Sequence, residues 1–213
     1  MINRHSGPCE GDGDANGGYA GHSTEGIADQ VKTVQPLILT SHIAPRDLEP
    51  FERLRQQHFP SDRNFLSAHL TMFHRLPGEY TDRIVETTKD IGQRNGSIAA
   101  KVSGVRHLGN GVAYSIESPQ LLAVHIELRA AFMPWLGGQD MQKWRPHITV
   151  QNKVSRQTAG ALYQRLAADF RPVVINITGL DLWRYLGGPW EHQTTTLFLG
   201  LRATHLISRG QLP

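Results

Sequence analysis

Apolar positions recur along the chain with two periods: every second residue in some segments, and every third or fourth residue in others. Alternation predicts half-buried strands, and the longer period predicts amphipathic helices. The predicted strands cover residues 37–43, 67–74, 97–107, 112–117, 147–150, 173–177, 180–186 and 194–199. The predicted helices cover residues 47–58, 80–94, 118–132 and 155–170. Because strands and helices do not alternate regularly, we expect an α+β fold of mostly antiparallel sheet with helices on the outer faces.

Three of the helices have sequence signals at their first residues. Asp47 is the expected N-cap of the first helix, and Pro60 should stop that helix. Ser118 followed by Pro119 should begin the third helix, because proline is favoured at the first helical position. Ser155 is the expected N-cap of the fourth helix.

One four-residue pattern occurs twice on predicted strands, as His69-Leu70-Thr71-Met72 and as His147-Ile148-Thr149-Val150. Side chains two apart on a strand share a face, so each histidine points the same way as its threonine while the apolar residues face the core. Two such pairs could hold one phosphate from opposite sides, provided that the two strands meet. Two further His-x-Thr matches, at His22 and His192, are interpreted as chance matches because their neighbours are glycine-rich or polar.

The two copies of the pattern belong to a longer internal repeat, about 36–117 and 118–200. Forty residues after His69 the chain reaches the turn Gly109-Asn110-Gly111, and forty residues after His147 it reaches Gly187-Gly188-Pro189. A helical pattern lies between histidine and turn in both copies. A duplicated unit of strand, helix and hairpin would pair its copies about a pseudo-twofold axis and bring both histidines to one cleft.

Composition divides the chain into a leader and a folded part. Residues 1–34 carry seven of the 21 glycines and five acidic against two basic residues, which predicts a flexible leader. Residues 35–213 are expected to form a single domain, with 20 Lys and Arg against 14 Asp and Glu. This positive excess suits an anionic ligand. With Cys9 as the lone cysteine and no secretion signal or membrane span, we expect a cytoplasmic protein.

Histidine pairs suit phosphodiester chemistry, because one ring can act as base and the other as acid near neutral pH. The threonine hydroxyls would supply donors to the phosphoryl oxygens. We expect no metal and no cofactor. His69 and His74, five apart on a strand, should face opposite ways, and no carboxylate accompanies either motif. His107 and His125 are interpreted as structural or surface residues.

The paired motifs, the lead-in Arg145-Pro146-His147, the repeat and the closing stretch from Leu180 to Trp190 together resemble the two-histidine phosphoesterase superfamily, in particular its bacterial 2′-5′ RNA ligase-like branch. The resemblance covers about residues 36–200. It implies a bilobal fold with two pseudo-twofold-related lobes and a U-shaped central cleft. It also implies metal-independent action on 2′,3′-cyclic phosphates or 2′-5′ linkages of RNA ends or small nucleotides.

By the same resemblance, His69 and His147 are the catalytic acid and base and Thr71 and Thr149 hold phosphate; the motif does not assign the two histidine roles. Arg145 would share the strand face of His147 and reach phosphate, or lie as a solvated edge residue. Tyr185 and the neighbouring Trp183 would stack a base or pack in the core.

Two other interpretations remain open. The chain could be a non-catalytic module of the same fold that binds a nucleotide or RNA end, since binding and catalysis use the same phosphate donors. A metal-dependent hydrolase built from scattered histidines would instead lose its activity on chelation. Under the leading interpretation the partner is an RNA end or small nucleotide, with no membrane and no obligate protein partner.

Overall fold

Seven strands and four α-helices form the part of the chain that the computed structural model describes, residues 35–201. The expected leader over residues 1–34 lies outside the described residues, as do residues 202–213. The strands are β1 (Leu37–Ile43), β2 (Leu70–Leu76), β3 (Ile98–His107), β4 (Val112–Glu117), β5 (His147–Gln151), β6 (Val173–Tyr185) and β7 (Trp190–Leu197). The helices are α1 (Pro45–His58), α2 (Thr81–Arg94), α3 (Pro119–Phe132) and α4 (Arg156–Ala168).

The sheet is antiparallel at each strand pairing, in the order β1-β2-β5-β4-β3-β6-β7, with β6 also paired to β1. The predicted α+β class with mostly antiparallel sheet is confirmed. The early part of β6 pairs with β3, and its later part lies between β1 and β7. Two strand sets therefore share β6: β2-β1-β6-β7 and β5-β4-β3-β6. They also meet where β2 pairs with β5. The two lobes and U-shaped cleft stay a prediction.

The strand sets do not coincide with the two sequence copies. Each copy has the expected order of motif strand, helix and hairpin, and both predicted glycine turns connect paired strands, with positive φ at Gly109 and Gly187. The hairpin of the first copy, however, pairs through β4 with β5 of the second copy. In the same way, β6 of the second copy pairs with β1, the neighbour of β2. Each set is completed by strands from both copies.

The starts of α3 and α4 are as predicted, and the start of α1 is not. The side chains of Ser118 and Ser155 accept hydrogen bonds from backbone N–H groups in the first turns of α3 and α4. Asp47 was the wrong N-cap, because α1 already begins at Pro45. Its carboxylate instead accepts hydrogen bonds of 2.8 Å from the backbone and side-chain nitrogens of Asn176, which ties α1 to β6.

Two predicted strands, 173–177 and 180–186, are one continuous strand, β6. Gly179 lies between the two predicted segments and allows the backbone of β7 to approach closely. A Cβ at this position would collide with the carbonyl of Thr196 and the Cα of Leu197. Strand β7 begins at Trp190 rather than at residue 194; as an edge strand it leaves polar side chains such as Glu191 in solvent, so its first residues lack the apolar alternation.

The apolar core lies between one face of the strands and the helices. Helix α1 packs on β5 and β6, α4 packs on β3 and β4, and α2 packs on β7, β6 and α3. Leu70 of β2 and Ile148 of β5 are fully buried on this side. Their strand neighbours therefore point to the opposite face of the sheet. None of the helices described between residues 35 and 201 is long and apolar enough to cross a membrane.

Replacing Ser118 by alanine should lower the free energy of unfolding by about 1 kcal/mol, because the N-cap of α3 is lost. Ser118 also donates a 3.0 Å hydrogen bond to the carbonyl of Ala99, which the alanine variant loses as well. The loss is measured as the shift of the denaturant midpoint at constant slope. Ser97→Ala is the control, since this exposed serine caps no helix. Equal midpoints for the Ser118 and Ser97 variants would contradict the assignment.

Candidate functional site

The pairing of β2 with β5 brings the two sequence motifs side by side. Leu70 lies opposite Ile148 in an antiparallel register. His69 is therefore opposite Thr149, and Thr71 is opposite His147. Directly opposed side chains have Cβ atoms about 4.5–5.5 Å apart, and diagonal neighbours such as the two histidines are about 7–8 Å apart. The four predicted residues thus share one sheet face, which we call the motif face, and each histidine stands across from the threonine of the other copy.

The two imidazoles are held by the same local contact. Nδ1 of His69 is 2.7 Å from the carbonyl oxygen of Ser67, and Nδ1 of His147 is 2.8 Å from the carbonyl oxygen of Arg145. A carbonyl oxygen can only accept, so Nδ1 carries the proton in both rings. Nε2 is then the acceptor of each neutral ring, and no described residue bonds to either Nε2 atom.

Burial keeps both rings neutral at pH 7. It lowers the pKa of His69 to about 4, against the opposing hydrogen bond to Ser67; the positive charge of Arg55 lowers it further, as does that of His147 when this ring is protonated. Burial also lowers the pKa of His147, with a further contribution from Arg106. Each ring therefore presents an unprotonated nitrogen that can accept a proton, and a nearby anion would favour its protonation.

Arg55, a residue that the sequence analysis missed, supports the motifs from behind. Its buried guanidinium donates to the carbonyl oxygens of Leu66 (2.8 Å) and Thr149 (3.0 Å). It thereby joins the segment that precedes His69 to β5. Arg55 follows Phe51 by four residues on α1, which places both on the buried helix face. That spacing is the one signal in the sequence that could have identified Arg55 as a buried residue. Arginine is usually exposed to solvent, however, so its presence there suggests a surface position.

His74 faces the same way as Thr71, contrary to the expectation that it points away from His69. Thr40 of β1 lies opposite Thr71, whereas the preceding residue, Leu39, lies opposite Phe73. Strand β2 thus contains one extra residue, a β-bulge, and both Met72 and Phe73 are buried. Alternation restarts after the bulge, so His74 returns to the motif face.

A buried carboxylate orients His74, although no carboxylate was expected near either motif. One oxygen of Asp140 lies 2.9 Å from Nδ1 of His74, and the carboxylate also accepts from the backbone nitrogens of His74 and Arg75. The Asp140 side chain is only 4 % exposed. Gln139 lies 3.1 Å from Nε2 of the same ring. Asp140 comes from the loop before β5, too far along the chain for a sequence pattern to connect it with His74.

The other two histidines considered from the sequence have packing roles. His125 is stacked between Phe73 and Trp144, with ring centroids 4.9 and 4.2 Å away. Burial lowers the pKa of His125 to about 4. His107 accepts a 3.0 Å hydrogen bond from the backbone of Gly109 at the β3–β4 turn.

Aromatic residues border the motif face beside His69. The Trp190 ring lies 4.8 Å from the His69 ring, and Trp183 lies 6.3 Å from Trp190. Trp183 is half-buried and donates to Thr40 Oγ1 at 2.9 Å. Tyr185 is exposed and stands opposite Trp190 in the ladder, so both point to the same face. We call Trp183, Tyr185 and Trp190 the aromatic rim.

Cationic residues border the face beside His147. A cavity of about 150 Å³ is lined there by His147 and Thr71, by His74, and by Arg106, Lys143 and Arg145. Arg145 is exposed and lies just before β5. We call this cavity the cationic pocket. The predicted site residues thus fall into two groups: five surround the β2–β5 junction, and Tyr185 lies on the aromatic rim.

The motif face continues across β1, β6 and β7 as a polar row that sequence reasoning did not identify. Thr40 lies between Thr71 and Asp181, and Asp181 lies opposite Thr195. Nδ1 of His42 is 2.8 Å from one Asp181 oxygen, and the Thr195 hydroxyl donates to the other at 2.6 Å. Across the region from 35 to 201, no three His, Cys, Asp or Glu side chains are grouped as a metal site requires.

Comparison with solved structures supports this architecture. The structure of TT0787 of Thermus thermophilus matches with a TM-score of 0.58 at 16 % identity, covering 78 % of this chain and all of that one. Escherichia coli LigT complexed with 3′-AMP matches with a TM-score of 0.53 at 15 % identity, covering 77 % of this chain and 98 % of LigT. A structure described as a phosphoesterase matches equally well at 17 % identity, over 77 % and 98 % of the two chains. These structural similarities show that the chain shares the fold of these proteins.

Comparison with curated protein sequences gives no match. The family model of the 2′-5′ RNA ligase superfamily matches residues 41–189, which is well over half of the chain and includes both motifs. The protein belongs to the 2′-5′ RNA ligase superfamily of two-histidine phosphoesterases.

Proposed function

We propose that the protein is a metal-independent phosphodiesterase that opens 2′,3′-cyclic phosphates, or cleaves 2′-5′ linkages, of RNA ends or small nucleotides. The observation that carries this proposal is the register of β2 against β5, which sets two His-Thr pairs on one face with each histidine across from a threonine. Two further findings support a nucleotide substrate. The protein belongs to the 2′-5′ RNA ligase superfamily, and LigT, a protein of similar fold, has been solved in complex with 3′-AMP.

In the proposed reaction the threonine hydroxyls of Thr71 and Thr149 donate to the phosphoryl oxygens. Water attacks phosphorus, one ribose P–O bond breaks, and the phosphate keeps its negative charge. His69 Nε2 takes the proton of the attacking water, because the ring with the pKa of about 4 stays unprotonated. His147 gives its proton to the leaving ribose oxygen. The bound phosphate supplies the negative charge that raises the proton affinity of His147.

The remaining predicted residues bind substrate in this proposal. Arg145 lies in the cationic pocket with His147, where its guanidinium can reach a phosphoryl oxygen. Tyr185 stands on the aromatic rim beside Trp190, where an exposed ring can stack a nucleobase. The arrangement requires no cofactor, and its partner is an RNA end or a small nucleotide.

Replacing either His69 or His147 by alanine should lower kcat by about 10²–10⁴-fold, because each removes one proton transfer. The assay follows adenosine 2′,3′-cyclic phosphate in excess chelator. His107→Ala is the control, since His107 hydrogen-bonds within the β3–β4 turn. If wild-type protein binds several cyclic phosphates and an RNA end but leaves them intact, the chain is a binding module. If only the chelated samples are inactive, the reaction depends on a metal.

The pH profile of kcat/KM should be bell-shaped with its maximum on the acid side of neutrality. It reports the free enzyme, in which His147 must be protonated and His69 neutral. His147 loses its proton as pH rises through a pKa below 6.5, so activity declines toward neutral pH. His69 gains one as pH falls through about 4, so activity declines there too. A maximum above pH 7, measured at constant ionic strength, would contradict the assigned roles.

A further inference from the structure

The cationic pocket holds more positive charge than one reacting phosphate requires. Arg106, Lys143 and Arg145 all line it. Among the ion pairs of residues 35–201, none involves these three side chains. Asp140 also borders the pocket, but its carboxylate is already engaged by His74 and by the Arg75 backbone. The three cations are therefore free to bind an anion from outside.

The strand register explains how Arg106 reaches the site from two strands away. Arg106 of β3 lies opposite Ala113 of β4, and Ala113 lies opposite Thr149 of β5. Directly opposed residues share a face, so Arg106 is on the motif face in the same row as Thr149. Because Ala113 between them carries only a methyl group, no long side chain separates Arg106 from Thr149. The half-buried guanidinium can therefore extend over β4 toward the phosphate position between the threonines.

The two sides of the motif face differ in chemistry. The side beside His69 carries the rings of the aromatic rim, which suit a nucleobase. The side beside His147 carries three free cations and oriented polar groups, which suit a second phosphate. A nucleotide that spans both sides of the motif face would have its base beside His69, its reacting phosphate between the histidines, and a second phosphate beside His147.

We propose that the cationic pocket is a second phosphate site, in which Arg106 and Lys143 bind the phosphate on the 5′ side of the terminal nucleotide. This inference rests on the proposed function and specifies its substrate class: RNA ends, or nucleotides with a 5′ phosphate, rather than nucleoside cyclic monophosphates. Arg106 and Lys143 act on specificity, since a substrate without the second phosphate offers them nothing to bind.

The test compares kcat/KM for adenosine 2′,3′-cyclic phosphate with that for its 5′-phosphorylated form and for the dinucleotide ApA ending in the same cyclic phosphate. We expect both longer substrates to be preferred by roughly tenfold or more, as charge-assisted contacts to phosphate predict. Arg106→Ala and Lys143→Ala should each reduce this ratio toward one. Lys101→Ala, an exposed lysine on β3 outside the pocket, should keep the wild-type ratio.

Salt dependence gives a second measurement of the same contacts. The affinity for the dinucleotide should fall more steeply with salt than the affinity for the mononucleoside substrate, because salt screens the added contact between cation and phosphate. Arg106→Ala and Lys143→Ala should flatten the slope. A wild-type ratio near one, or a ratio that both variants leave intact, would overturn the second phosphate site while leaving the phosphodiesterase itself established.

Failure of the proposed function would look different, because no substrate would then be turned over. The second site can still be tested in that case by calorimetric titration with 3′-AMP and with adenosine 3′,5′-bisphosphate. Tighter binding of the bisphosphate, lost in Arg106→Ala and Lys143→Ala but kept in Lys101→Ala, would support the site. Equal affinities of wild-type protein for the two nucleotides would refute it.

Discussion

The antiparallel register of β2 against β5 is the constraint on which the site depends. Leu70 and Ile148 are opposed and fully buried, so their neighbours must face away from the core. A slip by one residue would exchange the faces of all side chains on that strand and place the histidine in the apolar core instead. Arg55 reinforces the register, because it joins the carbonyl of Thr149 to the segment that precedes β2. Core packing thus determines where the polar residues can point.

Hydrogen bonds to the carbonyls of Ser67 and Arg145 hold the two rings, and burial lowers their pKa. Loss of water around His69 and His147 disfavours their protonated forms, and Arg55 and Arg106 act in the same direction. A surface whose histidines are neutral but whose other side chains include free cations still attracts anions. Binding the anion then changes the balance for the histidines, because a negative charge nearby stabilises an imidazolium. In the proposed reaction, binding of the substrate phosphate and protonation of the histidines are therefore linked.

Local signals in the sequence predicted much of the fold and the two motifs that the structure brings side by side. The His-Thr motifs, the glycine turns and the caps Ser118 and Ser155 depend on residues a few positions apart, where periodicity and turn chemistry apply. The features that the sequence did not predict depend on contacts between residues that are far apart along the chain. The bulge that turns His74 toward the motif face is defined by pairing with β1, and its partner Asp140 is 66 residues away. The two predicted strands 173–177 and 180–186 join at Gly179, where the backbone of β7 approaches closely.

The exchange of hairpins between the two copies bears on how such a chain could have arisen. A single copy contains a motif strand and a hairpin, but its hairpin completes the sheet of the other copy. An ancestral half-length polypeptide would thus have needed a second molecule to finish its sheet, as in a strand-swapped homodimer. Gene duplication and fusion would then have made that association covalent, after which the two halves were free to diverge in sequence.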